Sequence, residues 1–336
     1  MEAMQAVLEY KDITAEQLNS DVVPNNQPVI FRGLNKNWPV VKAYEKSPRS
    51  FVDYLKQFDQ GQSVSAMIGG PNIHGRFFYT DDVKGFNYER KKERFGTLLQ
   101  ALLELENIPS PPAIALQGLD LSEHLSEFTD YHKLSILDPT VAPRLWLGNK
   151  TVTTTHYDTM ENIACAVAGQ RRFVLFPPEQ VANLYVGPLL LTSAGTPMSM
   201  VDIRHPDFEK YPNFRQALTV AKEVIMQPGD ALYIPSFWWH NVESQDSISG
   251  LVNYWWTDNA TQTVTPYQSM LHGLLSIPSL PIKQRLVWQK LFEHYVFQVS
   301  RHPAAHLPND LEDIISALPL ERKKHLMKLL AEALLK

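Results

Sequence analysis

Residues 151–158 read TVTTTHYD. The five residues before His156 are all β-branched, a run that suits a pleated strand better than a helix. His156 and Asp158 stand two apart, and on a strand that spacing places both side chains on one face. A second His-x-Asp, His205-Pro206-Asp207, occurs in RHPDFEKYPNF. With 11 histidines in the chain the pattern arises easily by chance, so context has to decide between the two. Two prolines and alternating charge mark the second as a loop, and a proline between the ligands cannot donate to a sheet ladder. HYD is followed by another strand-like run, NIACAVAG over 162–169, so it can rest on a rigid sheet.

An imidazole and a carboxylate converging from one face supply two ligands for a divalent metal. The candidate for a third is His240, in QPGDALYIPSFWWHNV over 227–242. There Pro228-Gly229-Asp230 makes a tight turn, Ala231 to Ile234 form a strand, Pro235 ends it, and His240 follows a short aromatic loop. Two histidines and one carboxylate leave half of an octahedron open, the facial arrangement suited to non-haem iron(II), where substrate and dioxygen both need a position.

Around this stretch the chain is rich in short strands. PAIALQG (112–118), RLWLG (144–148) and RRFVLFPP (171–178) are β-branched or aromatic and separated by turn residues, which argues for a sandwich or barrel. Gly169-Gln170 suggests a hairpin between NIACAVAG and RRFVLFPP. A long polar insertion follows, then VIMQPGDALYIP (224–235) and SGLVNYWW (249–256) as a strand pair.

The first 110 residues alternate helical and extended patterns. ITAEQLNSDV carries a Thr14-x-x-Gln17 capping box, QPVIFRGL reads as a strand ended by Gly33, and SPRSFVDYLKQF and FGTLLQALLELEN space their apolar residues as helices that cover a sheet. After residue 258, QRLVWQKLFEHYVFQV, DLEDIISAL (310–318) and ERKKHLMKLLAEALLK are amphipathic helical patterns broken by prolines. Three parts are therefore expected: 1–110, an α/β part covering the barrel; 111–260, the β core; and 261–336, a helical region whose apolar stripes either pack on the barrel or pair with a second copy as a homodimer.

A net charge of −5 gives no overall attraction for phosphate backbones, and a short basic run such as Arg90-Lys91-Lys92 is ordinarily a solvated face, although nucleic acid stays open as a partner. The single cysteine, Cys165, reads as a buried strand position and suits a reducing compartment. No secretory signal and no membrane-spanning run are evident, so a cytoplasmic protein is expected.

HxD, a long insertion and then PGDxLYIPxxWWH together resemble the JmjC and cupin-type 2-oxoglutarate oxygenases. The likeness is strongest to the asparaginyl hydroxylases that act on hypoxia-inducible factor and their bacterial relatives, over residues 27–256, with LFPPEQ, YPNF and LYIPSFWWH as its most specific pieces. The resemblance implies a double-stranded β-helix, a jelly roll of the cupin/JmjC type, within an α+β fold with a C-terminal helical segment. It implies Fe(II) held by His156, Asp158 and His240, with 2-oxoglutarate and dioxygen as cosubstrates. Thr153 matches a hydroxyl that bonds the distal carboxylate of 2-oxoglutarate; Arg171 takes the place of the family's basic residue, where a guanidinium could hold that carboxylate bidentately. Asn162 and Asn253 match amides near the metal-bound end of the cosubstrate. One anchor differs. A tyrosine of the family falls on Ala115, and Arg144 or Trp146 is available to replace it.

Several alternatives stand beside these assignments. Arg172 competes with Arg171, because strand parity alone does not say which points inward, and Thr153 has the bland reading of a strand former. Trp238, Trp239 and Tyr157 read as packing. The resemblance implies hydroxylation of a protein or peptide side chain, with demethylation, an RNA base or a small molecule as further options. Its rivals are a non-catalytic cupin-like binding module and a metal cupin that does not use 2-oxoglutarate.

Overall fold

The computed structural model describes residues 4–193, 195–257, 265–298, 302–308, 314 and 318–334. It divides into two compact units, Met1–Asp258 and Asn259–Lys336. Among the described residues the first unit holds two sheets. The six-stranded sheet runs, in spatial order, Gln5–Ala6, Lys222–Met226, Arg171–Phe176, Trp239–Ser244, Val152–His156 and Arg76–Phe77. The nine-stranded sheet runs Leu8–Tyr10, Val29–Phe31, Ala231–Ile234, Glu161–Ala168, Ser249–Trp256, Pro143–Gly148, Ala113–Asp120, Ser63–Gly69 and Glu89–Arg94. This is the jelly-roll α+β architecture that the family resemblance implies, and it agrees with the sandwich or barrel expected from the density of short strands. The N-terminal 110 residues contribute strands to both sheets.

Strand alternation divides the apolar residues into two cores. On Glu161–Ala168, Ala164 and Ala166 face the interior between the sheets, where they meet Phe173, Leu175, Val224 and Val242 of the six-stranded sheet. Ile163, Cys165 and Val167 of the same strand face the other way, into a larger cluster with Phe51, Leu55, Leu98 and Leu102 from the helices Pro48–Lys56 and Phe95–Glu104. The period of two thus gives one strand small residues toward the barrel, where sheets approach closely, and bulky ones toward the helices. Helix starts follow the sequence signals: Thr14 and Gln17 form the reciprocal capping box, and Ser47 caps Pro48–Lys56 by accepting from Ser50 N at 3.0 Å.

Two local expectations are corrected. Gly169-Gln170 does not close a hairpin, because Glu161–Ala168 and Arg171–Phe176 belong to different sheets. Gly169, at φ +65°, turns the chain from one sheet to the other, and a Cβ there would lie 2.5 Å from the Ile248 carbonyl oxygen. Likewise 224–235 is not one strand: Lys222–Met226 joins the six-stranded sheet, Ala231–Ile234 joins the nine-stranded one, and Glu161–Ala168 lies between Ala231–Ile234 and Ser249–Trp256.

His132 fastens the helical cover to the sheet. Its Nε2 accepts from Val40 N at 3.2 Å, its Nδ1 donates to the Phe128 carbonyl at 2.6 Å, and Tyr254 Oη donates to its own carbonyl at 2.8 Å. Burial pushes its imidazole down from 6.5 to about 4. The unfolded chain therefore takes up a proton below pH 6.5 that the folded chain refuses until about pH 4. This contribution is fully present above 6.5 and is lost as pH falls through that window. Urea unfolding at pH 5 is expected to show a loss on the order of 2 kcal/mol relative to pH 7 from this group. His132→Gln, which keeps an acceptor for Val40 N, should flatten that part of the slope.

The second unit contains the helices Pro266–Ser276, Ile282–Phe292 and Leu320–Leu334. The expected helix over 310–318 lies, apart from Ile314 and Leu318, outside the described residues. Leu275, Ile282, Leu286, Val287 and Trp288 are exposed. Among the described residues no helix is long and apolar enough to cross a membrane.

Candidate metal centre and cosubstrate pocket

His156 ends the Val152–His156 strand, Asp158 follows it, and His240 lies directly opposite His156 on Trp239–Ser244. One ligand atom from each of the three lies within 4.8 Å of the others. The two imidazoles are set alike: His156 Nδ1 is 2.8 Å from the Thr154 carbonyl and His240 Nδ1 is 3.0 Å from the Trp238 carbonyl. A carbonyl only accepts, so each Nδ1 carries the proton and each Nε2 keeps its lone pair for a metal. Burial, then repulsion from His156, pushes His240 down to about 4, while Asp158 opposes the shift. His240 Nε2 lies 3.7 Å from Asp158 Oδ2, which sets an imidazole and a carboxylate side by side as candidate metal ligands. A third device fixes the loop, where Phe237 N donates to the Asp158 carbonyl at 2.7 Å and Phe237 is held at φ +64°.

The other His-x-Asp is a loop, as its prolines indicate. His205 and Asp207 are exposed, and the Asp207 carboxylate accepts from Glu209 N and Lys210 N at 3.0 Å, closing a turn.

Thr153 is three residues from His156, a spacing that on a regular strand puts the two on opposite faces. The pairing explains why they share one: Val242 faces Thr153 while His240 faces His156, so two residues between them on one strand, Thr154 and Thr155, match only Asn241 on the other across a β-bulge. The extra residue returns Thr153 to the inner face. Paired positions also set the order along the barrel. His240 is at the level of His156 and Leu175, Val242 at that of Thr153 and Phe173, and Ser244 at that of Arg171. Each step of two residues is roughly 7 Å.

Arg171 and Phe173 share a face, so Arg171 points between the sheets, 7% exposed, where its Nε donates to Ser249 Oγ of the other sheet at 2.8 Å. No carboxylate among the described residues pairs with it, and burial alone pushes the guanidinium down to about 9. Arg172 points outward to Glu223 and Glu243. Asn162 and Asn253 are buried on the inner face of the nine-stranded sheet, and Asn253 Nδ2 donates to Asn162 Oδ1 at 3.1 Å. Trp238 and Trp239 are buried in packing, and Tyr157 packs on Phe237 and Trp239.

A cavity beside His156 is lined by Thr153, Trp146, Gln117, Met67 and Phe77, and by Ser193, Thr196 and Met198 of the insertion. The insertion is held there by Tyr79 Oη to the Leu191 carbonyl at 3.0 Å, Tyr88 Oη to Ser193 Oγ at 2.6 Å and Arg90 to the Ser193 carbonyl at 2.8 Å. None of Gln117, Thr196, Met198 or Trp255 was singled out from sequence. Trp255 was accessible by parity from Asn253, whereas nothing in the insertion's composition announces Thr196. Ala115 is buried against Met67 and Phe77. Of its two candidate replacements, Trp146 lines the cavity, and Arg144 is bound to the Gly118 carbonyl at 3.2 Å and Asp120 at 3.3 Å.

The donor set fits a divalent metal of the iron(II) class, and a buried guanidinium with no anionic partner fits a dicarboxylate. Comparison with known proteins identifies the family. The profile described as "Cupin-like domain" matches residues 15–262. Lysine-specific demethylase JMJ31 of Arabidopsis thaliana is 27% identical over 280 residues, 74% of this chain and 49% of that protein. The tRNA wybutosine-synthesizing protein 5 of Gallus gallus is 39% identical over 265 residues, 72% of this chain and 74% of that protein. Lysine-specific demethylase 8 of Danio rerio is 27% identical over 249 residues, 72% of this chain and 56% of that protein. The chain spans about half the length of the demethylases it matches.

Proposed function

This chain belongs to the cupin-like family of JmjC domains, and on that premise we propose that it is an Fe(II)- and 2-oxoglutarate-dependent oxygenase that hydroxylates a protein side chain. The observation that carries this reading is the convergence of His156, Asp158 and His240, with both Nε2 lone pairs directed by backbone carbonyls. A non-catalytic binding module has no use for such an arrangement. With iron(II) bound, 2-oxoglutarate and dioxygen supply an oxidant strong enough to break an unactivated C–H bond. The chain's own part is to hold reactants in register and exclude water. Arg171 would take the distal carboxylate, Thr153 would donate to it from the bulged strand, and Asn162 and Asn253 would border the metal-bound end. Met67, Phe77 and Met198 give the approach to His156 an apolar wall.

The relatives named as lysine-specific demethylases support a protein side chain as the substrate. A second reading, a nucleoside of tRNA, is favoured by one observation: the Gallus gallus and Danio rerio proteins named for wybutosine synthesis are 38–39% identical to this chain over 74% of their length, against 27% for the Arabidopsis thaliana and Danio rerio proteins named as demethylases. Succinate release decides between them. With iron(II) and 2-oxoglutarate present, oxygen-dependent release stimulated by peptide pools supports the first reading, and stimulation by tRNA supports the second. Absence of release in every arm sinks the oxygenase assignment.

The proposal includes a cytoplasmic setting, in keeping with the single buried thiol, and a homodimer formed through the exposed apolar residues of Pro266–Ser276 and Ile282–Phe292. Sedimentation at micromolar concentration should give a dimer, and Leu286→Glu with Trp288→Glu should give a monomer; a wild-type monomer would contradict the assembly.

A further inference from the structure

Trp146 and Trp255 stand edge to face, ring centroids 5.8 Å apart, on the inner side of the nine-stranded sheet. Both indole Nε1 atoms are buried without a hydrogen-bond partner. A buried unpaired donor is unfavourable, and indole can only donate, so its missing partner is an acceptor. Trp146, unlike Trp255, lines the cavity shared by Thr153 and His156, so an acceptor bound there is within reach of its side chain. Thr196 Oγ1, on the insertion wall of the same cavity, is also buried and unpaired. The ring lies over Gly118, where a Cβ would stand 3.7 Å from it, an ordinary contact distance.

Charge selects the kind of acceptor. Thr153 and Trp146 offer neutral donors, and Arg171 adds an uncompensated cation one step farther along the barrel. Thr153 lies one step from the metal ligands, which is where the far end of a short chelating diacid would reach. The geometry points to Trp146 as a positioning residue whose indole N–H donates to the distal carboxylate of the cosubstrate; this rests on the 2-oxoglutarate reading above.

The test is calorimetric and needs no turnover. Mn(II)-loaded protein is titrated with 2-oxoglutarate and with 2-oxobutyrate, which lacks the distal carboxylate, using wild type and Trp146→Phe. Phenylalanine keeps a ring and removes the N–H. The expected result is about a tenfold weaker affinity of the variant for 2-oxoglutarate and an unchanged affinity for 2-oxobutyrate. Equal weakening for both ligands would make the role structural and overturn the inference, as would no weakening for either. If wild-type protein binds Mn(II) but neither oxo acid, the cosubstrate assignment itself fails.

Discussion

Replacing His240 with alanine will strip the protein of most of its affinity for iron(II), and His156→Ala will do the same. Removing an outer partner of a ligand already lowers metal affinity roughly 10- to 100-fold, so loss of one of three ligands should exceed that range. Among the described residues no further metal-binding side chain joins the group: His240 faces His156 across one strand pair, and Asp158 is the carboxylate that meets both. His205→Ala is the control. It changes the same His-x-Asp pattern on an exposed loop and should leave iron binding as in the wild type. Binding is measured by anaerobic titration with iron(II), followed by metal analysis after gel filtration. A wild-type affinity in His240→Ala, or an equal loss in His205→Ala, would remove the basis of the metal assignment.

The second large effect is expected at Arg171. If its guanidinium pairs with the distal carboxylate in a dry pocket, Arg171→Ala leaves that carboxylate desolvated and unpaired, at a cost of about 3–5 kcal/mol, or roughly two to four orders of magnitude in affinity. Arg171→Lys should be milder without being neutral, since a point charge replaces a planar fork. Thr153→Val removes one neutral donor and should cost about 1–2 kcal/mol. Arg172→Ala should hardly change 2-oxoglutarate binding, because that side chain lies on the outer face with Glu223 and Glu243. The order is the test. Equal or greater damage from Arg172→Ala contradicts the inward assignment of Arg171, and indifference to both arginines means that no dicarboxylate is held there.

These residues also show what a sequence discloses and what it withholds. The strand carrying His156 was legible because five β-branched residues in a row leave little choice of conformation, and the rival His-x-Asp was dismissible because a proline cannot donate to a ladder. The choice between Arg171 and Arg172 was not legible. Alternation says that they point opposite ways; only the partners Glu223 and Glu243, some 50 and 70 residues away, say which is outside. Thr153 is a harder case, since regular alternation puts it opposite His156 and a bulge in pairing reverses that. The false hairpin at Gly169 has the same origin. A glycine between two strands marks a sharp change of direction, but whether the chain returns along its own sheet or crosses to the facing one depends on packing that no local window contains.

Cys165 has a practical consequence. It is on the same strand as Asn162 but on the opposite face, fully buried behind the sheet among residues that pack on the helices. Burial pushes its thiol up, away from the reactive thiolate form. On the proposed oxygenase reading, the one sulfhydryl would lie out of reach of oxidants diffusing from the barrel mouth. Because the chain has no other cysteine, alkylation by a maleimide reports a single event, the parting of helices from sheet. Labelling kinetics in native buffer therefore give the opening free energy of the core at one known atom, with no mutation needed to introduce the probe.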